Sequence, residues 1–240
     1  MAISPFTDAV KTLLGFDLSR SQIDALKIYE EELLKWNEHI SLTAIRDVEG
    51  VRIKHFLDSL TVLLAWEGSE PPAQLIDIGT GAGFPGLVLK LVWPKTRVTL
   101  VESVHKKADF CAHIVERLGL NGVTLLSERA EVVGQDPVHR QRYDLAVARA
   151  VARMPILMEY LLPLVRHQGV VMAMKGETAP AETHAAANAI KLLGGHLKKL
   201  VHIELPGVVE ERFIVVVDKV VRTPETYPRR TGVPAKDPIL

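Results

Sequence analysis

From residue 73 onward, short apolar runs alternate with stretches of helical periodicity. The apolar runs predict buried strands at 73–79, 97–101, 123–126, 143–148 and 169–174. Apolar residues at helical spacing predict helices at about 85–92, 104–118, 156–162 and 180–193. This alternation is typical of a parallel sheet that is covered by helices on both faces.

Two further strands are predicted near the end of the chain, at 197–205 and 212–217. Only residues 206–211 separate them, which is too short for a helical crossover. These two strands therefore predict an antiparallel hairpin. The expected fold is α/β, with a mainly parallel seven-stranded sheet that the C-terminal hairpin closes.

The part before the sheet, residues 1–72, is predicted to be a helical extension. Ser19 or Ser21 could cap its first long helix, and a second helix is expected from about Val51 to Leu64. Several charged side chains, including His55 and Asp58, lie on this second helix. Their pattern favours a solvated face with a few salt bridges. We expect the sheet domain to cover 73–220 and a basic, proline-rich tail to cover 221–240.

Composition narrows the class of protein without identifying it. The 240 residues are 48% hydrophobic, with 29 basic and 29 acidic side chains, so net charge does not indicate a partner. The single cysteine, Cys111, excludes an internal disulfide and suits a reducing cytoplasm, where we expect the protein to act. No Cys/His cluster predicts a metal site, and neither a signal peptide nor a membrane-spanning segment is expected.

The first predicted strand leads into a glycine loop that could bind a ligand through bare backbone. The pattern Asp77-x-Gly79-x-Gly81-x-Gly83 is typical of S-adenosylmethionine enzymes, whereas Gly81-x-Gly83-x-x-Gly86 also matches the dinucleotide fingerprint. Glu102, at the end of the next strand, suits the ribose hydroxyls of either ligand. The glycines leave the choice open, and the terminal hairpin favours the class I (Rossmann-like) methyltransferase arrangement.

Other polar residues follow the ends of the predicted parallel strands, where ligands of such sheets bind. Ala130 and Glu131 follow the third strand, and an adenine edge would lie there. Arg149 ends an apolar strand, so its charge should meet a carboxylate, a ligand or an RNA phosphate. Lys175 ends the fifth strand.

Several motifs together resemble the bacterial glucose-inhibited division protein B family, the small-subunit ribosomal RNA (guanine-N7) methyltransferases. They are Leu34-Lys35-Trp36-Asn37, Leu42-Thr43-Ala44-Ile45-Arg46-Asp47, Lys54-His55-Phe56-Leu57-Asp58-Ser59, the glycine loop from Asp77 to Gly86, Arg149-Ala150, Lys175-Gly176, and a tail with Tyr227-Pro228-Arg229-Arg230. One departure is Ser41, where the family often has asparagine.

The resemblance implies methyl transfer from S-adenosylmethionine to N7 of one guanine in 16S ribosomal RNA. The cofactor positions that it implies, with those of the wider fold, are Asp77, Gly79, Gly81, Gly83, Phe84, Glu102, Ala130, Glu131 and Arg149. Guanine N7 carries a lone pair and no proton, so we expect no general base and no other catalytic side chain. We also expect a monomer that acts on the small ribosomal subunit.

RNA contacts are expected from local basic groups. From residue 219 onward the chain has five basic and two acidic residues, which gives a net charge of +3. Such a tail could lie along the phosphates of an RNA. The predicted RNA-binding residues are Arg46, His55, Lys175, Arg229 and Arg230. Two other functions stay open: a small-molecule methyltransferase with the N-terminal helices as a lid, and a module that binds NAD.

Overall fold

One twisted sheet forms the centre of the computed structural model, which describes residues 4–240. The seven strands in these residues are β1 (Gln74–Ile78), β2 (Arg97–Val101), β3 (Val123–Leu126), β4 (Tyr143–Arg149), β5 (Val165–Lys175), β6 (Gly195–Ile203) and β7 (Arg212–Lys219). Their spatial order is β3-β2-β1-β4-β5-β7-β6. Strands β1 to β5 are parallel, and β7 is antiparallel to both β5 and β6. The predicted parallel sheet and its closing hairpin are confirmed.

The strand order reverses between β1 and β4, which pair side by side in the sheet. In an open parallel sheet, the carboxyl ends of such strands flank a crevice that binds ligands. The helices that cover the sheet are α6 (Gly86–Val92), α7 (His105–Arg117), α8 (Ala130–Gln135), α9 (Met154–Leu161), α10 (Ala179–Ala185) and α11 (Ala187–Leu192). The single helix predicted at 180–193 is thus two helices, because the backbone of Ala186 leaves helical geometry.

The N-terminal part is helical as predicted, and its first three positions lie outside the described residues. It contains α1 (Ser4–Leu14), α2 (Arg20–Asn37), α3 (Val48–Gly50), a π-helical stretch (Val51–Leu57), α4 (Asp58–Leu60) and α5 (Val62–Ala65). Ser19 caps α2 in a capping box, since its hydroxyl accepts from the Gln22 amide and the Gln22 side chain accepts from the Ser19 amide. Within residues 4–240, every helix is too short or too polar to cross a bilayer.

The helical extension and the sheet share a hydrophobic core. One cluster of buried side chains joins Tyr29 and Phe56 of the extension to Leu87 of α6 and Leu100 of β2. A second cluster lies on the other face of the sheet, beneath α9, α10 and α11. Because the first core crosses residue 72, the extension packs as part of the sheet domain, and the proposed boundaries at 72 and 220 stay predictions.

Asn37, the last residue of α2, organises the connector that follows it. Its side-chain oxygen accepts hydrogen bonds from the amides of Leu42 (2.9 Å) and Thr43 (3.0 Å). Its side-chain nitrogen donates to the carbonyl of Thr43 at 2.9 Å. Because Asn37 is buried, its side chain supplies hydrogen bonds that water would otherwise have to provide to the backbone amides and carbonyl of the connector.

Replacing Asn37 with alanine should destabilise the fold strongly. The Leu42 and Thr43 amides would lose their acceptor inside the protein, which costs on the order of 3 kcal/mol in free energy of unfolding. Urea denaturation of N37A measures this loss. The matched control is N188A, because Asn188 is exposed and donates one bond to the carbonyl of Leu240. Equal stability of the two variants would contradict this role for Asn37.

Candidate functional site

The glycine loop joins β1 to α6 and is held from below by Asp77. The Asp77 side chain is fully buried, and its Oδ2 accepts hydrogen bonds from the Thr80 hydroxyl (2.6 Å) and the Gly86 amide (2.8 Å). A Cβ at Gly86 would lie 2.8 Å from the same oxygen, so this close approach requires glycine. Gly79, Gly81 and Gly83 all adopt positive φ, as the alternating pattern predicts.

Three stacked rings hold the loop from above. Tyr29 of α2 stacks on Phe84 with 5.3 Å between ring centroids, and His55 stacks on Phe84 at 4.6 Å. The Tyr29 hydroxyl donates to the carbonyl of Ala82 at 2.5 Å. A Cβ at Gly83 would collide with that hydroxyl. The extension and the glycine loop therefore fit together closely.

Arg149, at the end of β4, pairs with a carboxylate from the extension. Its Nη1 donates to Asp58 Oδ2 at 2.8 Å, and its Nη2 lies 3.1 Å from Nδ1 of His55. Its guanidinium also lies 5.1 Å from the centre of the Phe84 ring. Of the three partners expected for Arg149, the structure shows a carboxylate, that of Asp58 in the extension, and cofactor binding by Arg149 stays a prediction.

His55 is neutral in this cluster. Burial, together with the nearby charge of Arg149, lowers the pKa of His55 from 6.5 to about 3. The neutral ring accepts from Arg149 through Nδ1, so Nε2 carries the proton and donates to the Thr43 hydroxyl at 2.7 Å. The expectation of a solvated face is wrong for His55 and Asp58, because both side chains are buried against Arg149.

A cavity of about 270 Å³ opens beside the glycine loop, at the carboxyl ends of β1, β2 and β4. Its lining brings together residues from strand ends, α8, α9 and the C-terminal segment: Ile78, Gly79, Val101, Ser103, Glu128, Arg129, Ala130, Glu131, Val151, Ala152, Ile156, Tyr160 and Ala235. Three predicted cofactor residues, Gly79, Ala130 and Glu131, therefore share one cavity.

Glu102 lies in the chain between Val101 and Ser103, which line this cavity, and its side chain contacts the glycine loop. Its carboxylate is buried, with Oε2 accepting from the Gly81 amide at 2.9 Å and Oε1 accepting from the Val104 amide at 2.8 Å. Each oxygen keeps a second lone pair, so the carboxylate can still accept from a diol. Glu102 is therefore not a solvent-exposed surface carboxylate.

A second, smaller cavity of about 130 Å³ lies on the other side of the segment that follows β4. Arg149 and Ala150 line it, whereas the next two residues line the first cavity. Asp58 and Arg212 also border it, with 3.8 Å between Arg212 Nε and Asp58 Oδ1. Ala150 has a φ of 55°, a strained value for alanine, and such strain is typical of functional turns.

The five predicted RNA-binding residues fall into two groups. Arg46 and Arg230 are exposed. His55 is buried as described, Lys175 Nζ lies 2.7 Å from Glu182 Oε2, and Arg229 Nη2 lies 2.7 Å from Glu159 Oε2. Phosphate contact stays a prediction for all five, but the geometry favours Arg46 and Arg230 because the other three are engaged within the protein.

Comparisons with known proteins reveal the family. The model of the family described as rRNA small subunit methyltransferase G matches residues 22–212. A ribosomal RNA small subunit methyltransferase G from Roseiflexus sp. (strain RS-1) is 49% identical over 225 residues, covering 94% of this chain and 95% of the relative. One from Halalkalibacterium halodurans is 44% identical and covers 94% of each chain.

The chain belongs to the ribosomal RNA small subunit methyltransferase G family. Solved structures with lower sequence identity to this chain share its fold. A mutant of MtNAS in complex with S-adenosylmethionine aligns with a TM-score of 0.54 and 17% identity, covering 84% of this chain and 73% of that chain. TrmN from Thermus thermophilus aligns at 0.53 and 18%, covering 70% of this chain and 53% of that chain. The class I methyltransferase fold is thus confirmed.

Four residues of this site had no predicted role of their own. Tyr29, Asp58, Arg212 and Ala235 reach it from distant parts of the chain. Asp58 lies in one of the motifs on which the family resemblance rests, and this motif was the only feature of the sequence that pointed to it. The other three follow ordinary helix, strand or tail patterns. Within residues 4–240, no group of three or more His, Cys, Asp and Glu side chains is arranged to hold a metal ion.

Asp77 should make stability depend on pH. Burial raises the pKa of Asp77 from 3.8 to about 7, so between these values the folded protein keeps a proton that the unfolded chain releases. The free energy of unfolding should therefore fall, by at most about 4 kcal/mol, as pH rises from about 4 to about 7. D77N stays neutral and should lack this contribution.

Urea denaturation of the parent and D77N across this pH range tests the expectation. The stability of the parent relative to D77N should decline with rising pH and level off above about 7. D109N, which changes an exposed aspartate on α7, should follow the parent. Parallel curves for the parent and D77N would show that the Asp77 carboxyl titrates normally.

Proposed function

We propose that the protein transfers a methyl group from S-adenosylmethionine to N7 of a guanine in 16S ribosomal RNA of the small subunit. The observation that carries the proposal is the glycine loop above buried Asp77, with a nucleoside-sized cavity on one side of residues 149–152 and a second cavity on the other. Membership of the family supports the RNA substrate, and we propose that the reaction takes place in the cytoplasm.

The residues present fit the cofactor. Among the described residues, Asp77 Oδ1 is a buried oxygen without a hydrogen-bond partner, which suits an ammonium group such as that of the methionine part. The second lone pairs of Glu102 suit the ribose hydroxyls. Ala130 and Glu131, farther along the cavity, suit the adenine. Gly79, Gly81 and Gly83 leave backbone accessible beside these groups, and Phe84 supports the loop from its other face.

We place the target base at the second cavity. There Asp58 supplies negative charge and Arg149 and Arg212 supply positive charge, on a surface that Ala150 connects to the first cavity. Guanine presents donors on its Watson–Crick edge and acceptors at O6 and N7, so a mixed set of charges suits it. The neighbouring cavities let base and cofactor meet at residues 149–152.

Alignment rather than proton transfer accounts for the chemistry. When bound, S-adenosylmethionine supplies an electrophilic methyl group on a sulfonium. Guanine N7 could accept this methyl group through its lone pair without losing a proton, so no side chain of the protein has to act as a general base. The protein contributes by holding nucleophile and methyl in line, which lowers the entropic part of the barrier.

The two alternative functions, an NAD-binding module and a small-molecule methyltransferase, make different demands on this site. A dinucleotide would bring a pyrophosphate to the glycine loop, where the unpartnered Oδ1 of Asp77 suits a cationic group rather than a phosphate. A small-molecule methyltransferase would use the same cofactor site, with the extension as its lid. Such an enzyme should be active without RNA, so the substrate assay distinguishes it.

The decisive assay measures labelled methyl transfer to small ribosomal subunits that lack N7-methylguanine. We expect one labelled guanine in 16S RNA, located by chemical cleavage at the methylated base. Label on another atom or another RNA would contradict the proposed specificity. Cofactor binding without transfer to subunits, subunit precursors or RNA would favour the small-molecule reading.

The two exposed arginines should contribute to RNA affinity through phosphates. R46A and R230A should each weaken binding, and each should reduce the slope of log affinity against log salt by about 1. Filter binding at several salt concentrations measures both effects. The control is K95A, because Lys95 is an exposed basic residue in the turn before β2, at the opposite edge of the sheet. Unchanged slopes for both arginine variants would exclude these phosphate contacts.

A further inference from the structure

The C-terminal segment, residues 223–237, is bound to the sheet domain along its length. The Arg140 guanidinium donates to the carbonyls of Thr223 (3.1 Å), Pro224 (2.9 Å) and Tyr227 (2.5 Å). The Gln135 side chain donates to the carbonyl of Pro228 at 2.7 Å. These bonds go to backbone atoms, so they fix the path of the segment rather than one side chain.

A buried ion pair anchors the middle of the segment. The Glu159 carboxylate on α9 is fully buried, and Arg229 donates to both of its oxygens, from Nε at 2.9 Å and from Nη2 at 2.7 Å. The Arg229 backbone amide donates to the same carboxylate at 2.8 Å. Nη2 also donates to the carbonyl of Asp237 at 2.7 Å. One arginine therefore joins α9 to both ends of the stretch 229–237.

Between these two anchor points the segment reaches the first cavity. The Gly232 amide donates to Glu131 Oε1 at 2.8 Å. Three residues later, Ala235 forms part of the cavity lining opposite strand-end residues such as Ile78. Glu131 is itself buried, so the Gly232 amide satisfies a carboxylate that borders the cavity.

We propose that the C-terminal segment is part of the cofactor site. Gly232 is a positioning residue that holds Glu131 through its amide, and Ala235 is the outer wall over the adenosyl group of a nucleoside cofactor. The Arg229–Glu159 pair holds both in place. This inference rests on the proposed function, since it concerns the cavity assigned there to the cofactor. It gives this basic tail a role in cofactor binding besides any contact of Arg230 with RNA.

Ala235 offers a direct test because it is exposed yet lines the cavity, so a large side chain there should leave the fold intact. In A235W the indole would compete for space with the adenosyl group. Titration calorimetry with S-adenosylhomocysteine should show affinity reduced by about tenfold, a loss of about 1.4 kcal/mol. The matched control is K236W, which places the same side chain on the neighbouring exposed residue, outside the cavity lining.

A second pair of variants tests the anchor. R229K keeps the charge beside Glu159 but loses the forked contact with both oxygens and the bond to the Asp237 carbonyl. It should weaken S-adenosylhomocysteine binding severalfold and leave affinity for 16S RNA unchanged. R222K makes the same change at an exposed position of the tail and should match the parent. Thermal unfolding without ligand identifies any general loss of stability.

The outcomes separate the inference from the proposed function. If the parent binds S-adenosylhomocysteine and A235W binds it as K236W does, the segment does not wall the cofactor site. If R229K instead weakens RNA and not cofactor, the segment serves the substrate. If the parent binds no adenosyl ligand, the proposed function and this inference both fail.

Discussion

The site depends first on the buried carboxylate of Asp77. A carboxyl group at this depth is costly to bury, and its bonds to the Thr80 hydroxyl and the Gly86 amide offset part of that cost. The same bonds fix both ends of the glycine loop. They therefore hold a segment with three positive-φ glycines in one defined conformation. The second oxygen lacks a partner among the described residues, and we propose that it binds a cationic group of the ligand. One side chain would then serve both the shape of the loop and its binding.

The extension acts on that loop through a chain of contacts. Asn37 fixes the connector that contains Thr43, and the Thr43 hydroxyl accepts from His55. His55 then contacts both Phe84 of the loop and the guanidinium of Arg149, which pairs with Asp58. The connector also carries Arg46, for which we propose a phosphate contact. Two side-chain contacts, Thr43 with His55 and His55 with Phe84, join this connector to the glycine loop. Through these contacts the helical extension packs directly on the glycine loop.

Apolar runs and glycine spacing were enough to predict the sheet, because β1 to β4 are nearly continuous apolar stretches that end at turns. Strand β5 begins earlier than predicted, at Val165, since the exposed residues 166–168 hide its start in the sequence. Buried polar groups could not be predicted in the same way. His55 and Asp58 look like one face of a solvated helix, and both are buried against distant partners, among them Arg149, about ninety residues away. The same limit applies to Arg229 and Ala235, whose partners lie on α9 and across the cavity.

The most direct test of the central claim is a crystal structure with sinefungin, an analogue of S-adenosylmethionine with an amine in place of the sulfonium methyl. We expect its adenine beside Ala130 and Glu131, its ribose hydroxyls on Glu102, and its amino-acid ammonium within hydrogen-bond distance of Asp77 Oδ1. The amine should point towards the cavity bordered by Asp58 and Arg149. Binding elsewhere, or an amine that faces away from that cavity, would contradict these assignments of the cofactor and base sites.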